Sequence, residues 1–300
     1  MTQRRRRITT IGSFDGIHCG HRLVVDMLLS TAQERGLTPS VFAFAQHPLE
    51  IIDPSRTPPK LMTFERQQAT FKALGLEVFP IYFTAEMRRM TSSEYMRMLH
   101  ADYDVDVLVI GFDNRFGSDR ESTIDDYRKA AAEIGIEVIQ APQMPDISST
   151  IIRNLISNGD IEQANHKLGY HYPLTGIVEH GKELGHTIGF PTANLRPDDD
   201  RKLVPDNGVY AAIAILPDGS RHGAMVNIGH RPTIRDGRTY RSIEANIFDF
   251  DGNLYDRTIT LEFVAFMRHE IRLNSIEELR QRLIDDRTQA VDILSRLQQD

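Results

Sequence analysis

The sequence predicts an α/β doubly wound domain followed by a small all-β domain, an antiparallel barrel that ends in a helix. Up to about residue 169, short β-type runs alternate with helical stretches, which is typical of a parallel sheet covered by helices. From about Tyr172 onward, strand-like runs follow one another with only turn residues between them, as in barrels built from hairpins. An amphipathic stretch then closes the chain.

The elements of the first part follow one another in βα order. Strands are predicted at Ile8–Ile11, Ser40–Phe44, Val78–Tyr82, Val105–Ile110 and Ile136–Ile139, and helices at Arg22–Arg35, Thr63–Leu74, Ser92–Leu99 and Ile124–Ile134. Ser92 and Glu94 are expected to cap the third of these helices. A parallel sheet binds ligands at the carboxyl ends of its strands. Residues 12–21, His47 and residues 111–117 fall at such ends, so we expect a ligand site there.

The second part is read as a series of strands and one helix. Strands are predicted at Leu174–Val178, Gly208–Ile215, Gly223–Ile228, Ser242–Ile247 and Thr258–Phe266. The closing helix is predicted at Ser275–Leu297, with Ser275 as its N-cap and an apolar face made of Ile276, Leu279, Leu283 and Ile284. We expect the boundary near Gly169–Pro173, which divides the chain into domains 1–169 and 170–300.

Composition restricts the class of protein. A chain of 300 residues is expected to form two domains. The net charge is −7 and no basic stripe runs through the chain, which argues against nucleic acid as a partner. The basic run Arg4–Arg7 is expected to be a solvated lead-in to the first strand, with nucleic-acid or membrane contact as a minor alternative.

One cysteine excludes an intrachain disulfide and fits a reducing cytosol. No leader-like segment and no apolar run of roughly 20 residues is seen, so we expect a cytoplasmic protein without membrane contact.

Residues 12–21 read GSFDGIHCGH and directly follow the first predicted strand. A strand that leads through a glycine-containing turn into a helix is suited to phosphate, because backbone N–H groups and the helix dipole attract anions. His18 and His21 flank Gly20 and can both donate to one triphosphate. The pattern resembles the HxGH signature of nucleotidylyltransferases. Half a metal site, or two surface histidines, are the alternatives.

Two other stretches of the first part are candidates for the same site. Gly111–Gly117 (GFDNRFG) follows a predicted strand; its glycines permit close backbone approach, Asp113 can accept from ribose or amine groups, and Arg115 can bind an anion. A structural turn with a surface arginine is the alternative. In Asp146–Arg153 three hydroxyl residues precede a predicted helix that carries an arginine, a combination suited to stabilising phosphate charge. Ser148 also fits the role of a simple N-cap.

The strongest motif of the chain is GKELGHTIGFPTAN at residues 181–194. Three glycines within nine residues allow backbone N–H groups to surround phosphates, and Pro191 stiffens the turn. Thr192 and Asn194 lie two apart on one side of an extended segment and offer the neutral oxygens that Mg²⁺ accepts. A hairpin loop is the alternative. The candidate ATP-binding residues here are Gly181, Gly185, Gly189, Pro191, Thr192 and Asn194.

Taken together, the motifs of the first part resemble the FMN adenylyltransferase module of bacterial bifunctional riboflavin kinase/FAD synthetases. The matching stretches are residues 12–21, 111–117 and 147–153. Phe42–Pro48 stands where that family has a Phe-x-x-His-Pro segment, here with His47, and Ala164–Tyr172 matches its Ala-x-x-x-Leu-Gly-x-x-Tyr stretch.

The motif at 191–194 resembles the PTAN signature of riboflavin kinase, and further matches are Gly208–Tyr210, Val226–Thr233, Ser242–Glu244 and Arg268–Glu270. The resemblance implies a six-stranded barrel. It also implies that Glu244 is the general base on the ribityl 5′-hydroxyl, a role that suits a carboxylate in metal-assisted phosphoryl transfer. An outward-facing strand charge is the alternative for Glu244. For Arg268 and Glu270, which the resemblance places at the isoalloxazine or in the closing segment, the alternative is an exposed ion pair.

The resemblance implies the following site residues. The catalytic residues are Glu244, His18 and His21, and the adenylyltransferase ATP site comprises Gly12, Phe14, Asp15, Gly16, His18, Gly20, His21, Asp113, Arg115, Ser149, Thr150 and Arg153. Within it, Ser149, Thr150 and Arg153 are expected to close on the β- and γ-phosphates. The flavin is assigned to Asn227, Arg268 and Glu270, and the metal to Thr192 and Asn194.

The resemblance extends from Ile8 to about Asp286, with three departures. Asn114 stands where an aromatic residue is common, His186 where arginine is common, and Asn246 where histidine is usual. His186 matters most, since a neutral imidazole would bind phosphate more weakly than a guanidinium.

The expected function is flavin cofactor synthesis with Mg²⁺. ATP phosphorylates riboflavin to FMN, and the FMN phosphate then attacks the α-phosphate of a second ATP to give FAD and pyrophosphate. No covalent enzyme intermediate is needed, because positioning and charge stabilisation suffice. One alternative is a riboflavin kinase whose first domain is inactive or uses another substrate; another is a flavin-binding regulator without turnover. A homo-oligomer is left open.

Overall fold

The protein is described by a computed structural model that covers residues 5–119, 123–181, 188–232, 239–271 and 275–297. The chain divides between Ser149 and Thr150 into two compact units. The predicted domain division between residues 169 and 170 stays a prediction.

The first unit contains a five-stranded parallel sheet flanked by helices. Its elements are β1 (Arg7–Gly12), α1 (Cys19–Arg35), β2 (Thr38–Phe44), α2 (Leu49–Ile52), a 3₁₀ turn (Pro54–Arg56), α3 (Phe64–Ala73), β3 (Glu77–Ile81), α4 (Ala85–Arg89), α5 (Ser92–Tyr103), β4 (Val105–Ile110), α6 (Ile124–Ile134) and β5 (Glu137–Gln140). The strand order is β3-β2-β1-β4-β5, and every neighbouring pair is parallel. The doubly wound α/β prediction is confirmed.

The core of this unit follows from the sequence of its central strands. In β4, Leu108, Val109 and Ile110 are fully buried, as expected for a parallel strand covered on both faces. The chain leaves β1 toward β2 on one side, while β4 lies on the other side of β1. The order therefore reverses between β1 and β4, which is where doubly wound sheets open a crevice for ligands.

Helix α1 starts earlier than predicted, and helix α5 starts at the predicted Ser92 but has a different N-cap. Helix α1 begins at Cys19, so His18 rather than a later residue is its N-cap. In α5 the N-cap is Thr91, which forms a capping box with Glu94, whereas Ser92 lies inside the helix. Thr91 takes the position because the reciprocal side-chain bonds need a spacing of three residues to Glu94.

The second unit is a closed antiparallel barrel with helices. Along this part of the chain lie α7 (Ser149–Ser157), α8 (Ile161–Leu168), β6 (Tyr172–Glu179), β7 (Ala193–Pro197), β8 (Gly208–Ile215), β9 (Arg221–Pro232), β10 (Thr239–Ile247), β11 (Thr258–Arg268) and α9 (Ile276–Arg296). The strands close in the order β10-β7-β6-β11-β8-β9, which confirms the six-stranded barrel. Strand β7 begins within the PTAN motif, at Ala193, and was not among the predicted strands.

Helix α9 packs against β8, β9 and β11, and Ser275 caps it by accepting from the Glu278 N–H at 3.1 Å. The predicted apolar face is partly wrong, because Ile276 is 68% and Ile284 41% exposed. The stripe that packs runs through Leu279, Leu283, Asp286 and Ala290. Ile284, one position past Leu283, is turned about 100° away from that stripe. Among the helices of the described residues, none has the length and apolar character needed to cross a membrane.

Candidate active sites

The carboxyl ends of β1 and β4 meet at one edge of the first sheet, and the turn after β1 is strained there. Phe14 has φ 46° and Ile17 φ 39°, and Gly16 has φ 85°. Positive φ costs a non-glycine residue energy, so packing must hold the turn. Phe14 is 5% and Ile17 2% exposed, and the Phe14 ring packs edge-on against Phe71.

The carboxylate of Asp15 stabilises this turn through hydrogen bonds to backbone N–H groups. Its Oδ1 accepts from the N–H groups of Leu61 at 2.9 Å and Met62 at 3.0 Å. The carbonyl oxygen of Asp15 accepts from the hydroxyl of Ser149 at 2.9 Å. Both residues of the predicted ATP site therefore support the geometry of the turn that leads to the histidines.

The two histidines of the HxGH pattern form one compact pair. Their rings stack with centroids 3.6 Å apart and an interplanar angle of 16°. His18 Nδ1 accepts from the His21 N–H at 3.3 Å, while Nδ1 of His21 is buried with no hydrogen-bond partner among the described residues. Burial, and then the neighbouring His18, lower the pKa of His21 well below its usual value. His21 is thus neutral at pH 7, with one buried ring nitrogen that makes no hydrogen bond among the described residues.

Gly20 allows this pair to pack closely. A Cβ at Gly20 would stand 3.1 Å from Ile147 Cγ2 and 3.2 Å from His18 Nδ1. No third His, Cys, Asp or Glu joins the two histidines in a metal-ligand cluster within the described residues. Thr150 and Arg153 lie in the first turns of α7, and their assignment to the triphosphate stays a prediction.

The Gly111–Gly117 loop is held to the sheet by contacts that its sequence only partly indicates. The Asn114 amide donates to the carbonyl of Ile11 at 2.8 Å, so this departure from the family pattern ties the loop to β1. Gly117 has φ 86°, and a Cβ there would stand 2.9 Å from Ser92 Cα. The glycine at 117 is therefore needed for close packing, whereas Gly111 has no neighbour within 3.4 Å of such a Cβ.

A cavity of about 470 Å³ opens beside this loop, within the first unit. Its lining includes Gly12, Phe44, Tyr95, Asn114, Arg115 and Phe116. Tyr95 is 5% exposed, and its hydroxyl is buried without a hydrogen-bond partner among the described residues. Burial raises the pKa of Tyr95, so the hydroxyl stays protonated and can donate. Sequence reasoning missed Tyr95, because a tyrosine on the apolar face of a helix looks like core.

His47, which the sequence placed near this edge, has a structural contact. Its ring Nδ1 accepts from the Leu49 backbone N–H at 3.1 Å, and the backbone N–H of His47 donates to the Glu50 carboxylate at 3.0 Å. These bonds shape the start of α2. Asp113 is exposed, and Arg115 donates to the Asn114 carbonyl at 3.2 Å while it lines the cavity.

In the barrel, three polar residues form a row across adjacent strands. On β10, Glu244 stands directly opposite Asn194 of β7 on one side and Asn227 of β9 on the other. Directly opposed residues of antiparallel strands share a face. The ladder hydrogen bonds therefore place the proposed base, a metal-ligand candidate and a flavin-site candidate next to one another.

The PTAN turn is fixed by two close contacts. A Cβ at Gly181 would overlap the Asn194 amide, so only glycine lets that side chain lie there. The Asn246 amide donates to the Pro191 carbonyl at 2.7 Å, and Asn246 is 5% exposed. This second departure from the family pattern thus supports the turn that carries Thr192. Gly189 has φ 84°, which suits a glycine, while Gly185 and His186 lie outside the described residues.

The second unit has a cavity of about 250 Å³ against α9. It is lined by Thr192, Asn227, Glu244, Asn246, Arg268 and Glu270, with apolar walls that include Phe190 and Leu283. Glu270 accepts from the Asn227 amide at 3.3 Å. Arg268 does not pair with Glu270 but with Asp286 of α9, through two bonds of 2.8 and 2.5 Å. Sequence reasoning missed Asp286, although a carboxylate on the apolar stripe of a helix was a usable signal.

Comparisons with known proteins agree with both halves of this geometry. A family model described as FAD synthetase matches residues 1–154, and one described as riboflavin kinase matches residues 168–294. The chain is 33% identical over 302 residues to the bifunctional riboflavin kinase/FMN adenylyltransferase of Bacillus subtilis, covering 98% of this chain and 95% of that protein. The protein of that name from Pseudomonas fluorescens is 34% identical, with 93% and 90% covered.

One solved structure also matches over most of the chain. It is titled as a macrolide-efflux protein from Streptococcus pneumoniae, is 29% identical, has a TM-score of 0.87, and covers 96% of this chain and 94% of that one. Two catalytic-domain families match in tandem, and full-length relatives share one name. The chain therefore belongs to the family of bifunctional riboflavin kinase/FMN adenylyltransferases, which act on flavins and ATP.

Proposed function

We propose that the two cavities divide the two reactions between them, with FMN adenylylation in the first unit and riboflavin phosphorylation in the barrel. The observation that supports this division best is the row of Asn194, Glu244 and Asn227 in the barrel, a residue set suited to a hydroxyl nucleophile. The stacked histidines are the corresponding set in the first unit.

In the first unit, the triphosphate of ATP binds at the turn before α1. His18 and His21 donate to it, with Ser149 acting on the β- and γ-phosphates, and the assignment of Thr150 and Arg153 of the second unit stays a prediction. Because His21 is neutral, it contributes a hydrogen bond and no positive charge. The N-terminus of α1, a helix of 17 residues, adds the partial positive charge of its dipole. The FMN phosphate is the nucleophile, so the site has only to align it and stabilise charge.

The cavity beside the Gly111–Gly117 loop is the proposed place for the FMN ring system. Its volume of about 470 Å³ lies in the range of small-molecule sites. Phe44 and Phe116 supply apolar surface, and the buried, unpartnered hydroxyl of Tyr95 supplies a donor for a ring oxygen or nitrogen.

In the barrel, Glu244 accepts the proton of the riboflavin 5′-hydroxyl as that oxygen attacks the γ-phosphorus of ATP, and the bond from that phosphorus to the β,γ-bridging oxygen breaks to release ADP. A carboxylate can serve here because phosphoryl transfer depends mainly on positioning and on charge stabilisation. Asn227, Arg268 and Glu270 hold the flavin in the cavity that they line with Glu244.

The residues around Thr192 fit a magnesium ion. Thr192 lies at the cavity with Glu244, and Gly181 leaves space for the Asn194 amide. Mg²⁺ prefers oxygen ligands and keeps positions for substrate phosphates, so Thr192 and Asn194 would hold it with neutral oxygens. When bound, the ion would neutralise charge on the β- and γ-phosphates. A cytoplasmic location and the absence of nucleic-acid partners remain parts of the proposal.

The test uses riboflavin, ATP and Mg²⁺, with riboflavin, FMN and FAD separated by chromatography. The wild type should form FAD, His21→Ala should accumulate FMN, and Glu244→Gln should form no FMN yet still convert added FMN to FAD. His100→Ala is the matched control in the first unit, because His100 contacts Val105 at the opposite end of β4. Glu262→Gln, on β11 and paired with Arg221, is the control in the barrel.

Loss of both reactions in either site variant, with both controls active, would overturn the division. FAD formation by His21→Ala at the wild-type rate would remove His21 from the first site.

A further inference from the structure

Asp286 of α9 is a buried carboxylate held between two arginines. Its side chain is 1% exposed. Oδ1 accepts from Nε of Arg268 at 2.8 Å and Oδ2 from Nη2 at 2.5 Å, while Arg282 Nε lies 3.2 Å from Oδ1. The side-on fork to Arg268 fixes the plane of that guanidinium, which a single bond would not do.

An irregularity in β11 brings Arg268 to the right face. The pairing of β11 with β8 shifts between Phe266 and Arg268, so that Phe266 stands opposite Tyr210 and Arg268 opposite Val209. In regular pairing, residues two apart share a face; the extra residue of a bulge changes that. Arg268 therefore shares the face of Val209, and both line the barrel cavity.

The contacts of Arg268 leave part of its guanidinium available. Arg268 donates three hydrogen bonds, two to Asp286 and one from Nη1 to the His269 carbonyl at 3.0 Å. A guanidinium has five N–H donors, so two of them have no hydrogen-bond partner among the described residues. These are donors at a cavity that also contains Glu244 and Glu270.

A stabilising role alone does not account for this arrangement. A buried ion pair adds little net stability compared with apolar side chains of the same volume. Asp286 nevertheless occupies the apolar stripe of α9, between Leu283 and Ala290. What it supplies that an apolar residue would not is a fixed orientation of Arg268.

We infer that Asp286 is a positioning residue for riboflavin phosphorylation: it fixes Arg268 so that the remaining guanidinium N–H groups face the flavin. The inference rests on the proposed assignment of Arg268 to the flavin site. The flavin ring has carbonyl oxygens that can accept hydrogen bonds from these N–H groups. Misorientation of Arg268 therefore weakens the binding of riboflavin more than that of ATP.

The test is steady-state kinetics of FMN formation by the full chain, with riboflavin and ATP varied separately. Asp286→Asn should raise KM for riboflavin roughly tenfold or more and leave KM for ATP and the conversion of added FMN to FAD unchanged. Asp286→Glu keeps the charge but places the carboxylate one methylene further from the helix backbone, so it should also raise KM for riboflavin. Asp292→Asn is the matched control, since Asp292 lies on the same helix, is exposed and pairs with Arg296.

Arg268→Lys separates the inference from the assignment on which it rests, because lysine cannot form the fork. If Arg268→Lys raises KM for riboflavin and both Asp286 variants leave it unchanged, the inference is overturned and the assignment of Arg268 stands. If Arg268→Lys leaves it unchanged, the assignment itself is wrong. A lowered melting temperature with wild-type KM values in both Asp286 variants would show a purely structural residue and would also overturn the inference.

Discussion

His18 and His21 lie face to face, with ring centroids 3.6 Å apart, and the backbone N–H of His21 donates to Nδ1 of His18. An accepting Nδ1 carries no proton, so a neutral His18 has its proton on Nε2. Two stacked imidazolium cations would repel each other in a poorly solvated place. This repulsion agrees with the pKa of His21, which burial and the neighbouring His18 lower well below its usual value.

The first prediction concerns the pH dependence of stability. Burial and the neighbouring His18 lower the pKa of His21 in the folded state, whereas an unfolded histidine has a pKa of about 6.5. The unfolded chain then binds more protons below pH 6.5, so the free energy of unfolding falls as the pH drops from 6.5 toward the folded pKa. We expect His21→Gln to lose less stability than the wild type over that range.

Thermal or urea unfolding of the first unit between pH 7.5 and pH 5, compared for the two proteins, checks this. His100→Gln is the control for removal of a histidine from the same unit. Parallel pH curves for wild type and His21→Gln would contradict the expectation.

The second prediction concerns Asp15. Its carboxylate accepts from the N–H groups of Leu61 and Met62. Asp15→Asn replaces one of its acceptor oxygens by a donor and removes the charge, which should lower the stability of the first unit by about 1–3 kcal/mol. FAD formation from FMN should fall with it, because the turn that carries the histidines loosens. FMN formation in the barrel should stay at the wild-type rate, and its loss would show that the effect is not confined to the first unit.

The third prediction concerns Gly229. A Cβ at this position would overlap the carboxylate of Glu270, which lies at the end of a flexible side chain and can move. Gly229→Ala should therefore leave the barrel folded and displace Glu270 from the Asn227 amide. We expect KM for riboflavin to rise, as it should in Glu270→Ala, with the melting temperature nearly unchanged. Unaltered riboflavin kinetics in both variants would remove Glu270 from the flavin site.

The fourth prediction concerns Asn246. Its amide donates to the Pro191 carbonyl at 2.7 Å, a bond worth about 0.5–1.5 kcal/mol. Asn246→Ala should lower kcat for FMN formation, because the turn with Thr192 is no longer held. Asn246→His, which keeps a ring N–H donor, should retain more activity than the alanine variant. Equal loss in both variants would show that the hydrogen bond is not the important feature of Asn246.

The sequence predicted the strands and helices well where the spacing of apolar residues and the positions of turn residues indicate the same element. Strand β4 and helix α6 have the predicted bounds. Strand β7 was missed because glycine, proline and asparagine around residues 189–194 are also turn residues, and the neighbouring strands decide between the two states.

Site residues show a similar division. The histidine pair stands in a short local motif, and Glu244 was assigned through the family resemblance; the roles of all three stay predictions. Tyr95 and Asp286 are different, because each reaches its cavity from the face of a helix that packs on the core. In the sequence, both residues lie at the helical spacing that is typical of buried core positions. Only the fold shows that a cavity lies next to them.

The row of Asn194, Glu244 and Asn227 has a consequence for how this barrel tolerates changes in length. Each member is placed by ladder hydrogen bonds between neighbouring strands, so a slip of one residue would turn Glu244 to the other face. An insertion inside β10 would then abolish the kinase while leaving the barrel able to fold. The same insertion in the turn between β10 and β11, at residues 248–257, leaves the row in register. Among natural relatives and engineered variants, length changes should therefore collect in that turn and be absent from β10.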